Sequence, residues 1–281
     1  MKFITNSNDL SKYLDTPIKK NIQIKDISID SRTIKKDSLF IAINGENFNG
    51  NDYVDEAIHK GACLVITDSK KYKTSKNKNI IYVNNSISAL KKITSNILKS
   101  FDGNVVGITG SNGKTTTTKI IANVLSKSSS TLKNYNNEIG MPLSIFNAKQ
   151  NSKNLVIEMG AAKPGDIKYL SSILKPNIGV ITNIGNSHLE KLKNIKGVLK
   201  VKSELVSNIK NGGYLVVPNE NKEHLKFWKK IIRGKELITF GTEKNADFYA
   251  INIKSSIKKQ EFNIISDKYN IDHKIKTSLS G

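Results

Sequence analysis

The sequence has a single cysteine, Cys63, so it can form no disulfide within the chain and no cysteine cluster for zinc. Arginine is almost missing: Arg32 and Arg233 are the two arginines among 45 basic residues. Arginine is the usual residue for bidentate recognition of phosphates and bases, and the lysines are scattered along the chain rather than gathered into one stripe. The formal net charge of +21 therefore reads as a lysine-rich solvated surface with no nucleic-acid partner, although its field favours the approach of small anions. No run nears the roughly 20 apolar residues of a membrane helix, and the opening MKFITNSNDL lacks the apolar core of a secretory signal. A cytoplasmic protein without membrane insertion is the expectation. What is present is ordinary for a globular protein: 281 residues, 37% hydrophobic, enough for one large or two ordinary domains.

Residues 1–101 read as a small mixed α/β unit. Leu39–Ile43 is a buried-strand run, Asp52–Lys60 a short helix ending at Gly61, and Cys63–Thr67 and Ile80–Val83 further strands. Ser86 is the expected N-cap of a helix carrying Ile87, Leu90, Ile93, Ile97 and Phe101. The polar stretch Ser69–Asn79 reads as a surface loop. Asp102-Gly103-Asn104 is a turn and the expected boundary with a second domain, 102–281. There, strands at 105–109, 155–158, 177–182 and 214–217 alternate with helices at 114–125, 166–174, 195–209 and 220–232, before short strands such as 250–253 and 261–265. Such alternation predicts an α/β fold with a mainly parallel sheet flanked by helices.

The chemistry lies at the first strand-to-helix junction of that domain, in Thr109-Gly110-Ser111-Asn112-Gly113-Lys114-Thr115-Thr116. Gly110 and Gly113 let backbone N–H groups turn toward an anion, and the helix N-terminus adds a favourable dipole. Lys114 supplies a point charge for the β- and γ-phosphates of ATP, and Thr115 a hydroxyl for Mg²⁺. The loop departs from G-x-x-x-x-G-K-[ST] in that Ile108 stands at the first glycine position. In a parallel sheet ligands bind beyond the carboxyl ends of the strands. Glu158 closes one strand, and His188 follows another by six residues. Hard cations take carboxylate and hydroxyl oxygens readily. A lone histidine is more often structural than a ligand, so spacing alone does not assign His188. His59, His224 and His273 fall outside the pattern and read as surface residues.

Gly-Ile-Thr-Gly-Ser-Asn-Gly-Lys-Thr-Thr at 107–116 resembles the ATP loop of the Mur ligases, which has this variant spacing. Asn134-Tyr135-Asn136-Asn137-Glu138-Ile139-Gly140-Met141-Pro142-Leu143 is similar to the branch that adds D-alanyl-D-alanine to the UDP-N-acetylmuramoyl-tripeptide. So are Glu158-Met159-Gly160-Ala161, Ile181-Thr182-Asn183-Ile184-Gly185 with His188, and Lys202-Ser203-Glu204-Leu205. Asp30-Ser31-Arg32, Asp37 to Ala42 and Gly45-Glu46 resemble the family's uridine-nucleotide domain. The resemblance implies catalytic roles for Lys114, Glu158, His188 and Lys202. It implies a nucleotide site of residues 109–116 with Asn183, and substrate contacts from Ser31, Arg32, Asn136 and Asn137. Thr115, Glu158, His188 and Lys202, the last as a carbamate, would hold Mg²⁺, with Mn²⁺ as the alternative. Without the family, Lys202 would read as a solvated helix lysine and Asn136 and Asn137 as loop residues.

The implied reaction is ATP-driven amide formation through an acyl phosphate, by a monomer. Other readings remain open at this point: a diamino acid-adding branch of the same ligases, or a non-catalytic ATP-binding module. Departures are visible. Asn49-Gly50-Asn51 stands where the family usually has Asp-Gly-His, and Glu220-Asn221-Lys222 stands where an acidic pair is expected. The family glycine matching Gly281 is followed by a His-Asn segment and a C-terminal domain, so the expectation is a chain with the N-terminal and central parts, weak in ATP binding and unable to ligate alone.

Overall fold

A computed structural model describes residues 3–18, 20–45, 48–187, 189–256 and 259–278. Glu46, His188 and Leu279-Ser280-Gly281 lie outside the described residues. In chain order the elements are α1 (Ser7–Leu14), β1 (Asp26–Ser28), β2 (Ser38–Ile41), α2 (Val54–His59), β3 (Ala62–Thr67), β4 (Ile80–Tyr82), α3 (Ser86–Ser100), β5 (Asn104–Thr109), α4 (Lys114–Val124), β6 (Ser128–Ser130), α5 (Gly140–Phe146), β7 (Asn154–Glu158), α6 (Asp166–Leu174), β8 (Ile178–Ile181), α7 (Leu189–Leu192), α8 (Ile195–Ser203), β9 (Tyr214–Pro218), α9 (Lys222–Ile231), β10 (Glu236–Gly241), β11 (Phe248–Ser255), β12 (Gln260–Ser266) and β13 (Ile271–Thr277). Among the described residues the strands fall into two sheets, of four and nine strands, and the pairing is mostly parallel, as the strand–helix alternation predicts. No helix among them is long and apolar enough to cross a membrane.

Two compact units emerge from the contacts. The first comprises the residues up to Asn104 together with Thr118–Glu158. Its sheet has the order β1-β2-β3-β4, parallel throughout. Leu39, Phe40, Ile41 and Ala42 are fully buried, the signature of a parallel strand covered on both faces. Val54 and Ala57 of α2 pack on Phe40 and Val65. Tyr72 joins that cluster, so the polar stretch 69–79 is not purely a surface loop: its aromatic ring is anchored in the core. In α3, Leu90, Ile93 and Ile97 are fully buried at helical spacing. Its N-cap is Asn85 rather than Ser86: the Asn85 carboxamide accepts from Ser88 N–H at 2.7 Å, while Ser86 is buried inside the first turn. The unit also holds the parallel pair β6–β7 and the wholly buried α5.

The second unit comprises Val105–Thr117 and the residues from Met159 onward. Its strands run in the order β13-β12-β11-β10-β9-β8-β5. β5, β8, β9, β10 and β11 are mutually parallel neighbours, and β12 and β13 complete an antiparallel meander. The expected helix 195–209 is an α-helix only to Ser203 and continues as a 3₁₀ turn over Glu204–Asn208. The expected helix at 220 starts two residues later, because Asn221 caps it by accepting from Glu223 and His224 N–H, both at 3.0 Å. Trp228 of α9 is fully buried and donates its indole N–H to Ser203 Oγ at 2.8 Å, tying α9 to the end of α8. His224 is half-buried against that Trp228, so it is not the plain surface residue its sequence position suggests.

Candidate active site

β5 is buried where it enters the loop, with Ile108 and Thr109 both at 0% exposure. Gly110 and Gly113 then take positive φ, 151° and 75°, conformations that disfavour any side chain. At Gly110 space closes too: a Cβ there would stand 1.9 Å from Thr182 Oγ1. Ile108 has no such constraint. It pairs with Val180 inside the sheet, and its carbonyl accepts from Met159 N–H at 2.7 Å, which is why this loop does without the usual first glycine. α4 starts at Lys114 and points its N-terminus into the turn. Lys114 Nζ folds back to donate to the carbonyls of Gly110 at 3.0 Å and Ser111 at 3.2 Å. Thr115 and Thr116 are exposed on the first turn.

The segment after β8 is laced to this loop. Asn183 uses both ends of its carboxamide on one residue: Oδ1 accepts from Asn112 N–H at 2.9 Å, and Nδ2 donates to the Asn112 carbonyl at 3.1 Å. Thr182 Oγ1 donates to the same carbonyl at 2.6 Å. Ser111 N–H donates to the Asn183 carbonyl at 3.1 Å, and Ser111 Oγ exchanges hydrogen bonds with the backbone of Gly185 and accepts from Ser187 Oγ, each at 3.0 Å.

Lys202, at the end of α8, is 1% exposed. Burial pushes its pKa down from 10.5 to about 8. The neighbouring Lys114 ammonium pushes the same way, and Asp166 and Glu204 oppose it. The structure thus brings the two expected functional lysines together and removes the reading of Lys202 as a solvated helix lysine. Sequence reasoning gave no role to Asp166 and Glu204. Asp166 Oδ2 accepts from Ala162 and Lys163 N–H at 2.8 and 2.9 Å, and Glu204 accepts from Gly165 and Lys168 N–H at 2.8 and 2.9 Å. The two carboxylates pin the turn that opens α6. Their sequence signal was acidic residues at a helix start, which also fits an ordinary cap.

In the first unit, Glu158 is 2% exposed at the end of β7, and its Oε1 accepts from Asn136 Nδ2 at 2.7 Å. Asn137 is exposed and caps the following turn, its Oδ1 accepting from Ile139 and Gly140 N–H at 3.3 and 2.8 Å. Gly140 has to be glycine, since a Cβ would come within 2.5 Å of Tyr135 Cα. A cavity of about 320 Å³ is lined by Ser31, Arg32, Phe48, Gly50, Tyr53 and Ile139, among others. Of the residues expected to contact substrate, Ser31 and Arg32 line it, and Ile139 follows the expected Asn136-Asn137 pair. The Arg32 guanidinium is held in a fork by Asp30, at 2.9 and 2.8 Å, which keeps the Asp30 carboxyl below the usual range. Where the family's Asp-Gly-His would stand, Asn49 caps a 3₁₀ turn, and Asn51 is spent inward on Asp68 and Thr67 at 2.7 and 2.6 Å.

The donor set suits the groups expected. A lysine ammonium and a helix N-terminus at a turn of two positive-φ glycines fit a polyphosphate. Carboxylate and hydroxyl oxygens fit a hard cation. Among the described residues no three His, Cys, Asp or Glu side chains cluster to hold a metal. A Mg²⁺ ion with one or two protein ligands would complete its shell from phosphate oxygens and water.

The Mur ligase middle domain matches residues 108–281, and the catalytic domain of the Mur ligase family matches 23–99. The UDP-N-acetylmuramoyl-tripeptide–D-alanyl-D-alanine ligase of Buchnera aphidicola subsp. Baizongia pistaciae is 36% identical over 249 residues, covering 88% of this chain and 54% of that protein. The Bacillus subtilis ligase of the same description is 34% identical over 206 residues, 72% of this chain and 45% of its own length. The chain spans about half the length of the curated relatives it matches. MurF ligase from Thermotoga maritima, solved in complex with ADP, superposes with a TM-score of 0.77 at 30% identity, over 89% of this chain and 57% of that one. MurF from Acinetobacter baumannii shares the fold, with a TM-score of 0.84 at 23% identity over 97% and 60%. With more than half of its length matched by the middle domain, the chain belongs to the Mur ligase family.

Proposed function

We propose that this chain carries the ATP-binding and muramoyl-substrate-binding parts of a ligase of peptidoglycan precursor synthesis, one that joins D-alanyl-D-alanine to UDP-N-acetylmuramoyl-tripeptide. The observation that carries the proposal is the loop at 109–116, whose Gly110 leaves no room for a Cβ and whose Lys114 lies over the turn. The curated relatives' shared description supports the branch.

In this reading a terminal carboxylate oxygen of the tripeptide attacks the γ-phosphorus of ATP, and the bond to the ADP oxygen breaks. The amine of D-alanyl-D-alanine then attacks the acyl phosphate carbon, phosphate leaves and the amine loses a proton. Lys114 swings from the loop carbonyls to the phosphates and neutralises charge on the transferring group. Mg²⁺, when bound, supplies further charge neutralisation at the phosphates. Family resemblance assigns Thr115, Glu158, His188 and Lys202 to metal binding, the first two as oxygen donors. Asn136 holds the Glu158 carboxylate in one orientation. Ser31 and Arg32 would receive the uridine diphosphate end, and Asn137 shapes the turn at the muramoyl-peptide site.

Lys202 fits the carbamate role through its burial. With its pKa near 8, roughly a tenth of the amine is neutral at pH 7, against well under one in a thousand for an ordinary lysine. A neutral amine adds CO₂ and releases a proton, and the resulting anion would sit within the field of Lys114.

Calorimetric titration of the 281-residue chain with ATP and Mg²⁺ tests the core of this reading. Binding is expected, weakened at least about tenfold by Lys114→Ala. Unchanged affinity in that variant would sink it. In the protein as encoded, phosphate release should require both the tripeptide nucleotide and D-alanyl-D-alanine. Release with a diamino acid in place of the dipeptide would move the assignment to that branch.

A further inference from the structure

Asn183 lies in a segment that the resemblance places at the nucleotide, yet both ends of its carboxamide bond to the protein's own loop. One end accepts the Asn112 N–H at 2.9 Å and the other donates to the Asn112 carbonyl at 3.1 Å. The pair copies the two-point pattern between facing residues of an antiparallel sheet. Thr182 Oγ1 adds a second donor to the Asn112 carbonyl at 2.6 Å, and the Asn183 carbonyl accepts the Ser111 N–H at 3.1 Å. Two successive loop amides and one loop carbonyl are therefore fixed by Thr182 and Asn183. They lie between Gly110 and Gly113, residues at φ 151° and 75° whose freedom would otherwise let the loop sample many shapes.

We propose that Asn183 is a positioning residue of the phosphate loop, a clamp on the Asn112 peptide that holds the anion-binding turn in shape before nucleotide arrives. The inference rests on the nucleotide-binding reading above. The physical logic is that of population: a loop that spends only part of its time in the competent shape binds its ligand more weakly by that fraction. A clamp acts on the phosphate part of the ligand. A direct contact from Asn183 to base or ribose would act on the nucleoside part.

That difference sets the test. ATP and inorganic tripolyphosphate, each with Mg²⁺, are titrated into the wild-type chain and into Asn183→Ala and Asn183→Ser. Hydrogen exchange of the Ser111 and Asn112 amides is followed without ligand. The clamp predicts that both ligands weaken by the same factor, about tenfold, and that the two amides lose protection while those of β5 and β8 keep theirs. Loss confined to ATP, or unchanged protection at Asn112, would overturn the clamp in favour of a nucleoside contact. No loss with either ligand would also overturn it. Should neither Asn183 variant fold, Thr182→Val, which removes only the hydroxyl on the Asn112 carbonyl, reads the same comparison: a parallel loss supports the clamp and none overturns it. A wild-type chain that bound neither ligand would instead bring down the nucleotide reading, and this inference with it.

Discussion

A buried lysine is expensive, and Lys202 is 1% exposed. Its native pKa, about 8, lies below the ordinary 10.5. Between those values the unfolded chain holds a proton that the native state has released, so stability rises as pH increases from about 8 to about 10.5. Below pH 8 the full cost of burying the ammonium is present. Lys202→Met should therefore stabilise the CO₂-free protein by about 3 kcal/mol near pH 7, with the advantage fading between about pH 8 and pH 10.5. Urea melts of both forms across that range measure it, and a destabilised Lys202→Met at pH 7 would contradict the buried-cation account. In the reading proposed above, the same substitution also removes the amine that CO₂ would modify, the trade-off expected at a functional site. Nothing in the local sequence Lys200-Val201-Lys202 distinguishes the buried lysine from its exposed neighbour Lys200. The helix phase, set by what α8 packs against, makes that choice.

At the scale of elements, the join between α8 and α9 rests on the Trp228–Ser203 hydrogen bond, with both residues buried. Trp228→Phe leaves the Ser203 hydroxyl without its donor and should cost about 2 kcal/mol. Ser203→Ala should cost less, and the double variant less than the sum of the two, because they share one bond. Chemical denaturation provides the cycle, and strict additivity would argue against the coupling. The long, periodic elements were legible before the structure: α3 from its Leu90–Ile93–Ile97 spacing, the alternating strands and helices from 105 onward, and the strand-to-helix turn from Gly-Lys-Thr. Less legible were β6, whose Ser128-Ser129-Ser130 has no apolar pattern, and α5, whose apolar residues carry no helical stripe because every side is buried. α4 shows the reverse: its apolar Ile120 and Val124 are 41% and 78% exposed.

For the whole molecule, a net charge of +21 is a long-range term that no single contact reveals. Several lysines that face carboxylates, such as Lys25 on Asp37 and Lys71 on Asp55, are exposed pairs of small worth. The remaining repulsion opposes compactness and is screened by salt. Raising ionic strength from low to about 0.3 M should lift the thermal midpoint by about 3 °C while weakening ATP binding. Parallel melts and titrations read both trends. A midpoint that fell with salt would show that attractive pairs, not net repulsion, dominate the surface.

The sequence by itself determined the parallel α/β character, the glycine turn before α4 and the family. Those are written in local patterns: strand–helix alternation, glycines flanking a lysine, and contiguous motifs. Only the tertiary structure decided which functional groups are held by which partners. It put Asn136 on Glu158, Asn183 on Asn112, and Lys202 under the field of Lys114, while tying Asn51 to Asp68. The physical reason is that a side chain's partners and its desolvation depend on residues distant in sequence. Thr182, some seventy residues beyond Asn112, closes on the loop; no local pattern carries that information.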